Sequence, residues 1–333
     1  MGFTIAARTP LIVPTKYNQG RFAMAEKLSL KGQRIIVTGA GNGLGRAYAL
    51  LLAELGGQLV VNDFSQDAAD AVVAEIKASG GDAVASYDAV GSKGAGKAIV
   101  KTALDAFAGV DAVINNAGFI RPAMFEDISE ADLNSILQVH LFGSIYVTQA
   151  AWPILQKQRY GRVVMTSSSS GMFAHGGMAS YSAAKAGVFG LTKALAYEGQ
   201  DYNIAVNAVL PVALTTINKD RPIPGMAENY AKFITPELRQ RVADIANQGP
   251  EMVAYLVACL VDRKCEVTGE AYSVSRGRYG RVFVGVADGW LTRKGEAVSP
   301  ETVRDHLPEI RDIGDHTAPK WVFDETLDVA RRL

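Results

Sequence analysis

Tyr181 and Lys185 stand four residues apart in the stretch MTSSSSGMFAHGGMASYSAAKAGVFGLTKALAY, Met165 to Tyr197. On a helix that spacing puts both on one face, one turn from each other. A phenol with a reference pKa of about 10 is a poor base at neutral pH. A cation one turn away favours the phenolate and lowers that pKa. Ser168 lies thirteen residues before the tyrosine, in a serine run from Ser167 to Ser170. Its hydroxyl is placed to hold an oxygen beside the phenol. Such a trio moves a proton on or off a carbinol oxygen. That is productive only if another group takes the hydride, so the rest of the chain should supply a nucleotide cofactor. The serine run would also suit a plain polar loop. No G-x-S-x-G elbow surrounds it, which argues against a serine hydrolase.

The elements that must position these residues begin at Arg34. RIIVTGAGNGLGRAYALLLAELG reads as an apolar strand, a glycine-rich turn and a helix with apolar positions at helical spacing. Gly39, Gly43 and Gly45 in that turn let backbone N–H groups approach a pyrophosphate, and the helix N-terminus favours its charge. A tight structural turn would also use glycine. The next strand, 58–62, ends at Asp63. A carboxylate there accepts hydrogen bonds from the adenosine ribose and repels a 2′-phosphate. No Lys or Arg occupies 40–44 or 62–66 to hold such a phosphate, so the expected cofactor is NAD rather than NADP. Asp63 alone would read as an ordinary loop aspartate. Asp88, after a third strand at 83–88, is placed for an adenine amino group, or is a surface acid. Asn115, Asn116, Ala117 and Gly118 close a fourth strand at 110–114. They are expected along the adenosine ribose and as a brace to the neighbouring strand, although NNAG is also simply a good turn.

Further helices are expected at 66–79, 95–107, 130–158 with a kink at Pro153, 179–199 and 250–262. Further strands are expected at 161–166, 203–209 and 270–275. Alternating strand and helix with apolar strands predicts an α/β doubly wound parallel sheet of about seven strands, with helices on both faces. Ligands bind such sheets at the carboxyl ends of the strands. Thr38, Gly39, Asp63, Asp88, Asn115, Ser168 and Pro211 should all lie there. Residues 1–28 read as an N-terminal arm, 29–276 as the main domain and 277–333 as a C-terminal extension packed on it. That extension holds a hairpin-like piece from Tyr279 to Val286 and a helix opening at Ser299-Pro300-Glu301. Residues 212–235, rich in Pro, Asn, Lys and Gly, are expected to form a flap over the crevice or a surface loop.

Bulk properties exclude several classes. The chain has 333 residues, 48% of them hydrophobic, and a formal net charge of zero. No global charge draws it to nucleic acid or an anionic membrane. No apolar run approaches the roughly 18 residues of a membrane span. The N-terminal region is broken by Arg8, Pro10, Pro14 and Lys16, unlike a secretory leader. Cys259 and Cys265 suggest reduced thiols and a cytoplasmic protein. The terminal Arg331-Arg332-Leu333 is not a Ser-Lys-Leu address. The four histidines show no metal-ligand spacing, so no metal is expected.

Taken together, TGAGNGLG, Asp63, NNAG, Ser168 and Tyr181-Ser182-Ala183-Ala184-Lys185 resemble the short-chain dehydrogenase/reductase family over about residues 30–275. The resemblance implies a Rossmann fold and hydride transfer with a nicotinamide cofactor. It implies that Tyr181 is the acid/base, that Lys185 lowers its pKa and bonds the nicotinamide ribose, and that Ser168 orients the substrate oxygen. The cofactor site it implies comprises Gly39, Asn42, Gly43, Leu44, Asp63, Asp88, Ala89, Asn115, Asn116, Ala117, Tyr181, Lys185, Leu214 and Thr216. Where the family usually has an asparagine supporting a proton relay through its backbone carbonyl, this chain has His140, which joins the catalytic set. Pro211-Val212 stands where Pro-Gly is common. Within the family, VVNDF, VHLFGS, YGRVVMTSSSSG and the segments GVADGWL and SPETVRDHLPEI look like the (3R)-hydroxyacyl-CoA dehydrogenase branch of β-oxidation, which also carries that histidine. The implied reaction interconverts a 3-hydroxyacyl-CoA and its ketone. A free hydroxysteroid, terpene or aromatic alcohol is the alternative substrate. By the same likeness, the helices at 130–158 and 179–199 pair across a two-fold axis in a homodimer or homotetramer. A nucleotide-binding scaffold without chemistry is the alternative of another class, against which Ser168, Tyr181 and Lys185 together argue.

Overall fold

A computed structural model describes residues 27–173, 175–213, 235, 237, 249–275, 277–293 and 297–319. Strands and helices alternate as β1 (Arg34–Thr38), α1 (Gly43–Glu54), β2 (Gln58–Asn62), α2 (Gln66–Ala78), β3 (Asp82–Ser86), α3 (Lys93–Phe107) and β4 (Ala112–Asn115). Next come α4 (Glu130–Leu137), α5 (Gly143–Gln158), β5 (Gly161–Thr166), α6 (Ala179–Glu198) and β6 (Ile204–Val212). They are followed by α7 (Glu251–Val261), β7 (Ala271–Ser275) and β8 (Arg278–Val282). The sheet order is β3-β2-β1-β4-β5-β6-β7-β8. All pairings are parallel except β7 with β8, where Ala271 faces Val282 and Ser275 faces Arg278. The chain reverses direction across the sheet between β1 and β4, the place where a doubly wound sheet opens a ligand crevice.

Two cores sandwich the sheet, as the period-2 alternation of strand side chains requires. Ile35, Val37, Leu59, Val61, Val164 and Val209 point to one face, against Tyr48, Leu52, Val72 and Val257 of α1, α2 and α7. Ile36, Val60, Val113, Val163, Val206 and Ala208 point to the other, against Ile99, Val147, Leu155 and Val188 of α3, α5 and α6. Strands buried on both faces read as continuous apolar runs, which is why β1, β2 and β5 fall where the sequence puts them.

Several elements differ from expectation. The sheet has eight strands rather than about seven, because Arg278–Val282, part of the expected extension, adds an antiparallel edge. The helix expected at 130–158 changes geometry at Gln138–Phe142, a π turn, while Pro153 lies inside α5. Pro211 does not follow β6 but lies within it, paired with Val274. It is tolerated because β5 ends at Thr166 opposite Val209, so Pro211 has a strand neighbour on one side only. Asn115 is the last residue of β4 rather than the first beyond it.

In the C-terminal part, Val286–Ala287 (β9) pairs antiparallel with His316–Thr317 (β10). The short helix α8 (Pro300–Asp305) starts at Ser299 with a capping box to Thr302, and α9 (Leu307–Ile310) follows. Residues 1–26 of the expected arm, nearly all of the expected flap, and the expected cofactor residues Leu214 and Thr216 lie outside the described residues.

Candidate active site

The β1–α1 turn is built around its glycines. Gly39 and Gly43 have φ of +62° and +55°, the left-handed region open to glycine. A Cβ on Gly45 would stand 2.1 Å from the carbonyl oxygen of Gly39 and 2.6 Å from Asn116 Nδ2, so the helix abuts the strand end with no room for a side chain. Asn42 is the N-cap of α1, yet its side chain makes no capping hydrogen bond, and no acidic residue lies in the first turn. The turn thus presents the positive end of a 12-residue helix without a side-chain counter-charge. Leu44, in the first helical turn, is half-buried.

Thr38 ties this turn to β4. Its Oγ1 accepts hydrogen bonds from the backbone N–H of Asn116 at 3.0 Å and of Ala117 at 3.2 Å. Asn116 Nδ2 donates to the carbonyls of Thr38 and Gly39. The Asn115 amide instead turns into the core, where Nδ2 donates to Thr148 Oγ1 at 2.8 Å. Thus Asn116 and Ala117 line the turn, whereas Asn115 ties β4 to α5. At the end of β2, the Asp63 carboxylate accepts from Gly41 N and from Ser65 N, each at 3.0 Å. Phe64 beside it is 80% exposed. Asp88 and Ala89 are exposed beyond β3, and the Asp88 carbonyl accepts from Asn62 Nδ2 at 2.9 Å.

On the other side of the crevice, α6 carries Tyr181 and Lys185. Lys185 is 4% exposed, and its ammonium donates to the carbonyl of Thr166 at the end of β5. Its Nζ lies 5.7 Å from the centre of the Tyr181 ring. Burial pushes the Lys185 pKa down to about 7. Two contacts press the serine segment against this helix. Ser167 Oγ donates to the Lys185 carbonyl at 2.8 Å, and Gly171 packs so closely that a Cβ would meet Ala186 N at 2.7 Å. Ser168 caps the intervening 3-10 turn, its Oγ accepting from Ser170 N.

His140 completes the group. It sits in the π turn, is 3% exposed, and stands edge-on to Tyr181 with ring centres 5.2 Å apart. Burial, followed by the charge of Lys185, pushes its pKa down to about 3, so the ring is neutral at ordinary pH. Nε2 lies 2.6 Å from the Phe119 carbonyl oxygen, which fits a ring protonated there, and the buried Nδ1 has no partner. The His140 carbonyl accepts from Ser144 Oγ at 2.7 Å. A π turn shifts hydrogen bonds out of the α ladder and is common at functional sites.

The structure therefore gathers Tyr181, Lys185 and His140 and packs the Ser168 turn on the same helix. Thr166 and Ser144 were not singled out by the sequence. Each lies at or just beyond a strand end, or one helical turn from a chosen residue, which is the signal that would have found them.

Comparison with known proteins decides the family. The short chain dehydrogenase profile matches residues 33–222. The chain belongs to the short-chain dehydrogenase/reductase family. It is 41% identical over 314 residues to peroxisomal multifunctional enzyme type 2 of Mus musculus, covering 91% of this chain and 40% of that protein. It is also 41% identical over 264 residues to a short-chain type dehydrogenase/reductase of Mycobacterium tuberculosis, covering 77% of this chain and 86% of that one. The structure of full-length peroxisomal multifunctional enzyme type 2 from Drosophila melanogaster superposes with a TM-score of 0.74 at 32% identity, over 92% of this chain and 50% of that one. The chain thus spans 40% of the Mus musculus multifunctional enzyme and 50% of the Drosophila melanogaster one. As a short-chain dehydrogenase/reductase it is an oxidoreductase of CH–OH groups, and its Rossmann fold implies a nicotinamide nucleotide. The glycine-rich cradle at Gly39–Gly45, where a Cβ on Gly39, Gly41 or Gly45 would clash, fits such a nucleotide. Among the described residues, no group of three or more His, Cys, Asp or Glu is placed to hold a metal, and no helix is long and apolar enough to cross a membrane.

Proposed function

We propose that this short-chain dehydrogenase/reductase interconverts a secondary alcohol and a ketone with NAD, and that its substrate is a 3-hydroxyacyl-CoA. The observation that carries the chemistry is the buried Lys185 ammonium, fixed by the Thr166 carbonyl beside Tyr181. When bound, the nicotinamide supplies the hydride acceptor. Tyr181 takes the hydroxyl proton of the substrate. Lys185 beside the ring stabilises the phenolate as the proton leaves. Ser168 donates to the substrate oxygen as charge develops there. The neutral His140 ring lies edge-on to Tyr181 without bringing a second cation, and its carbonyl accepts from Ser144 Oγ.

Gly39, Asn42, Gly43 and Leu44 would hold the pyrophosphate, Asp63, Asn116 and Ala117 the adenosine ribose, Asp88 and Ala89 the adenine, and Tyr181 and Lys185 the nicotinamide half. Asp63 supports NAD over NADP, because both carboxylate oxygens are held by backbone N–H groups and the negative charge is fixed where a 2′-phosphate would come. The acyl-CoA substrate follows from likeness to enzymes named for peroxisomal multifunctional activity. A homodimer or homotetramer through α5 and α6, and a cytoplasmic location with free thiols at Cys259 and Cys265, complete the reading.

The test is NADH formation by the purified chain with a panel of 3-hydroxyacyl-CoA thioesters and free hydroxysteroid, terpene and aromatic alcohols. Turnover of the thioesters is expected. Turnover of free alcohols alone overturns the acyl-CoA assignment, and preference for NADP overturns the Asp63 argument. Light scattering that shows only monomer overturns the oligomer.

A further inference from the structure

The segment between Ser168 and Tyr181 contains a second serine–histidine contact that the reaction above does not use. Ser170 Oγ and His175 Nδ1 lie 2.6 Å apart. Both residues are half-buried, and burial lowers the His175 pKa, which favours the neutral ring. In the neutral tautomer protonated on Nε2, Nδ1 accepts from the Ser170 hydroxyl.

The backbone of Ser170 faces the catalytic serine. Its N–H donates to Ser168 Oγ at 3.1 Å. A serine hydroxyl has one proton to donate and two acceptor positions. With one acceptor position taken by Ser170 N–H, the Ser168 proton is directed away from the turn. That is the orientation needed to donate to a substrate oxygen. The turn itself is tight: Gly171 N donates to the Ser168 carbonyl at 3.0 Å, and Phe173 N to the Ser169 carbonyl at 2.7 Å. Beyond His175 the segment is tied again, where Ala123 N donates to the Gly177 carbonyl at 3.0 Å and Ala123 bridges to Met178. Between these two ends, the Ser170–His175 contact is a side-chain link across the segment.

We propose that His175 is a positioning residue for the alcohol–ketone reaction. It acts through Ser170, whose peptide N–H fixes Ser168 as a hydrogen-bond donor to the substrate oxygen. The inference rests on the reading of Ser168 as the residue that holds that oxygen.

An asparagine at 175 has an amide oxygen close to where Nδ1 stands, and can accept from Ser170. A leucine fills similar space and cannot. The experiment compares Ser170→Ala, His175→Leu, the double variant and His175→Asn in the full chain, with whichever CH–OH substrate the parent turns over. His175→Leu and Ser170→Ala are each expected to lower kcat about tenfold, since small displacements of a reacting group cost up to about a hundredfold. The double variant should lose no more than either single one. His175→Asn should recover at least about half of the parent kcat. Cofactor affinity, read by nucleotide fluorescence titration, should stay within about twofold throughout. Equal losses in His175→Asn and His175→Leu, additive losses in the double variant, or a kcat within about twofold of the parent in Ser170→Ala would each overturn the proposal. If His175→Leu does not fold, Ser170→Ala and His175→Asn still decide it. Because any alcohol substrate serves, the acyl-CoA assignment can fail while this test stands.

Discussion

The two halves of the crevice are built on opposite principles. The nucleotide half, β1 to β4, uses backbone. Its glycines and the open N-terminus of α1 present backbone N–H groups, and its site acid, the buried Asp63 carboxylate, is held by two of them. The catalytic half, β5 to β6 with α6 and the π turn before α5, buries a lysine and a histidine and pushes the pKa of both downward. Its His140 Nδ1 and Ser182 Oγ are buried without partners, as Asn115 Oδ1 is in the first half. Unpaired buried polar groups cost stability. The first half therefore gains binding from groups any strand-to-helix turn must expose, whereas the second holds reactive groups ready at the expense of the fold.

The sharpest way to break this contrast is at Tyr181. Tyr181→Phe keeps the ring edge against His140 and removes only the hydroxyl. It should lower kcat by about a thousandfold, within the range of general acid/base catalysis, with little change in thermal stability or cofactor affinity. Near-parent activity would end the mechanism.

Lys185→Met separates function from fold in opposite directions. Activity should fall about a hundredfold, as for loss of a charge that acts on the acid/base. The cofactor-free protein should become more stable. Unfolded, the lysine titrates near 10.4, and folded near 7. Between those values the unfolded chain holds a proton that the folded chain has lost, so parent stability rises with pH across that window. Below it the parent carries the whole cost of the buried charge. The gain in Tm for Lys185→Met should be about 2 °C or more at neutral pH and shrink toward pH 10. A calorimetric scan across that range checks both sign and slope. A less stable variant at neutral pH would show that the bond to Thr166 outweighs burial.

In the nucleotide half, Gly45→Ala should act on binding and fold together. The added carbon meets the Gly39 carbonyl and the Asn116 amide, and backbone must shift to admit it. About 1–3 kcal/mol of stability should be lost. Nucleotide affinity, measured by calorimetry, should fall about tenfold or more as the cradle opens. Unchanged affinity would show that the cradle is structural only.

How much of this was visible in the residues also divides along the crevice. Strands buried on both faces announce themselves as apolar runs, so β5 falls at 161–166 as expected. β8 reads only as part of a hairpin-like piece from Tyr279 and not as a strand of the main sheet, because RYGRV is a polar edge strand whose arginines face solvent. The π turn is hidden for another reason. It adds one residue to a helical turn, and a continuous amphipathic stretch such as 130–158 carries no local mark of that insertion. Tyr181 and Lys185 were legible because helical spacing alone fixes their shared face. The Asn115 amide was not, since adding one residue to a strand reverses its side: Asn115 ends β4 and faces Thr148, and Asn116 takes the crevice.

The mildest change tests whether the nucleotide half selects its ligand by charge. Asp63→Asn keeps the shape of the side chain and removes the negative charge. The amide oxygen can still accept from Gly41 or Ser65, but the amide nitrogen cannot, so one of the two N–H groups loses its partner. Stability should fall by about 1 kcal/mol. The larger signal is selectivity: the ratio of kcat/KM for NAD over NADP should drop about tenfold as repulsion of the 2′-phosphate disappears. It should relax rather than reverse, because no cation stands at 62–66 and Arg46 of α1 is paired with Glu75. A full reversal to NADP would mean that a basic group reaches the ribose from elsewhere. An unchanged ratio would mean that the shape of the β2–α2 turn, not the charge of Asp63, does the selecting.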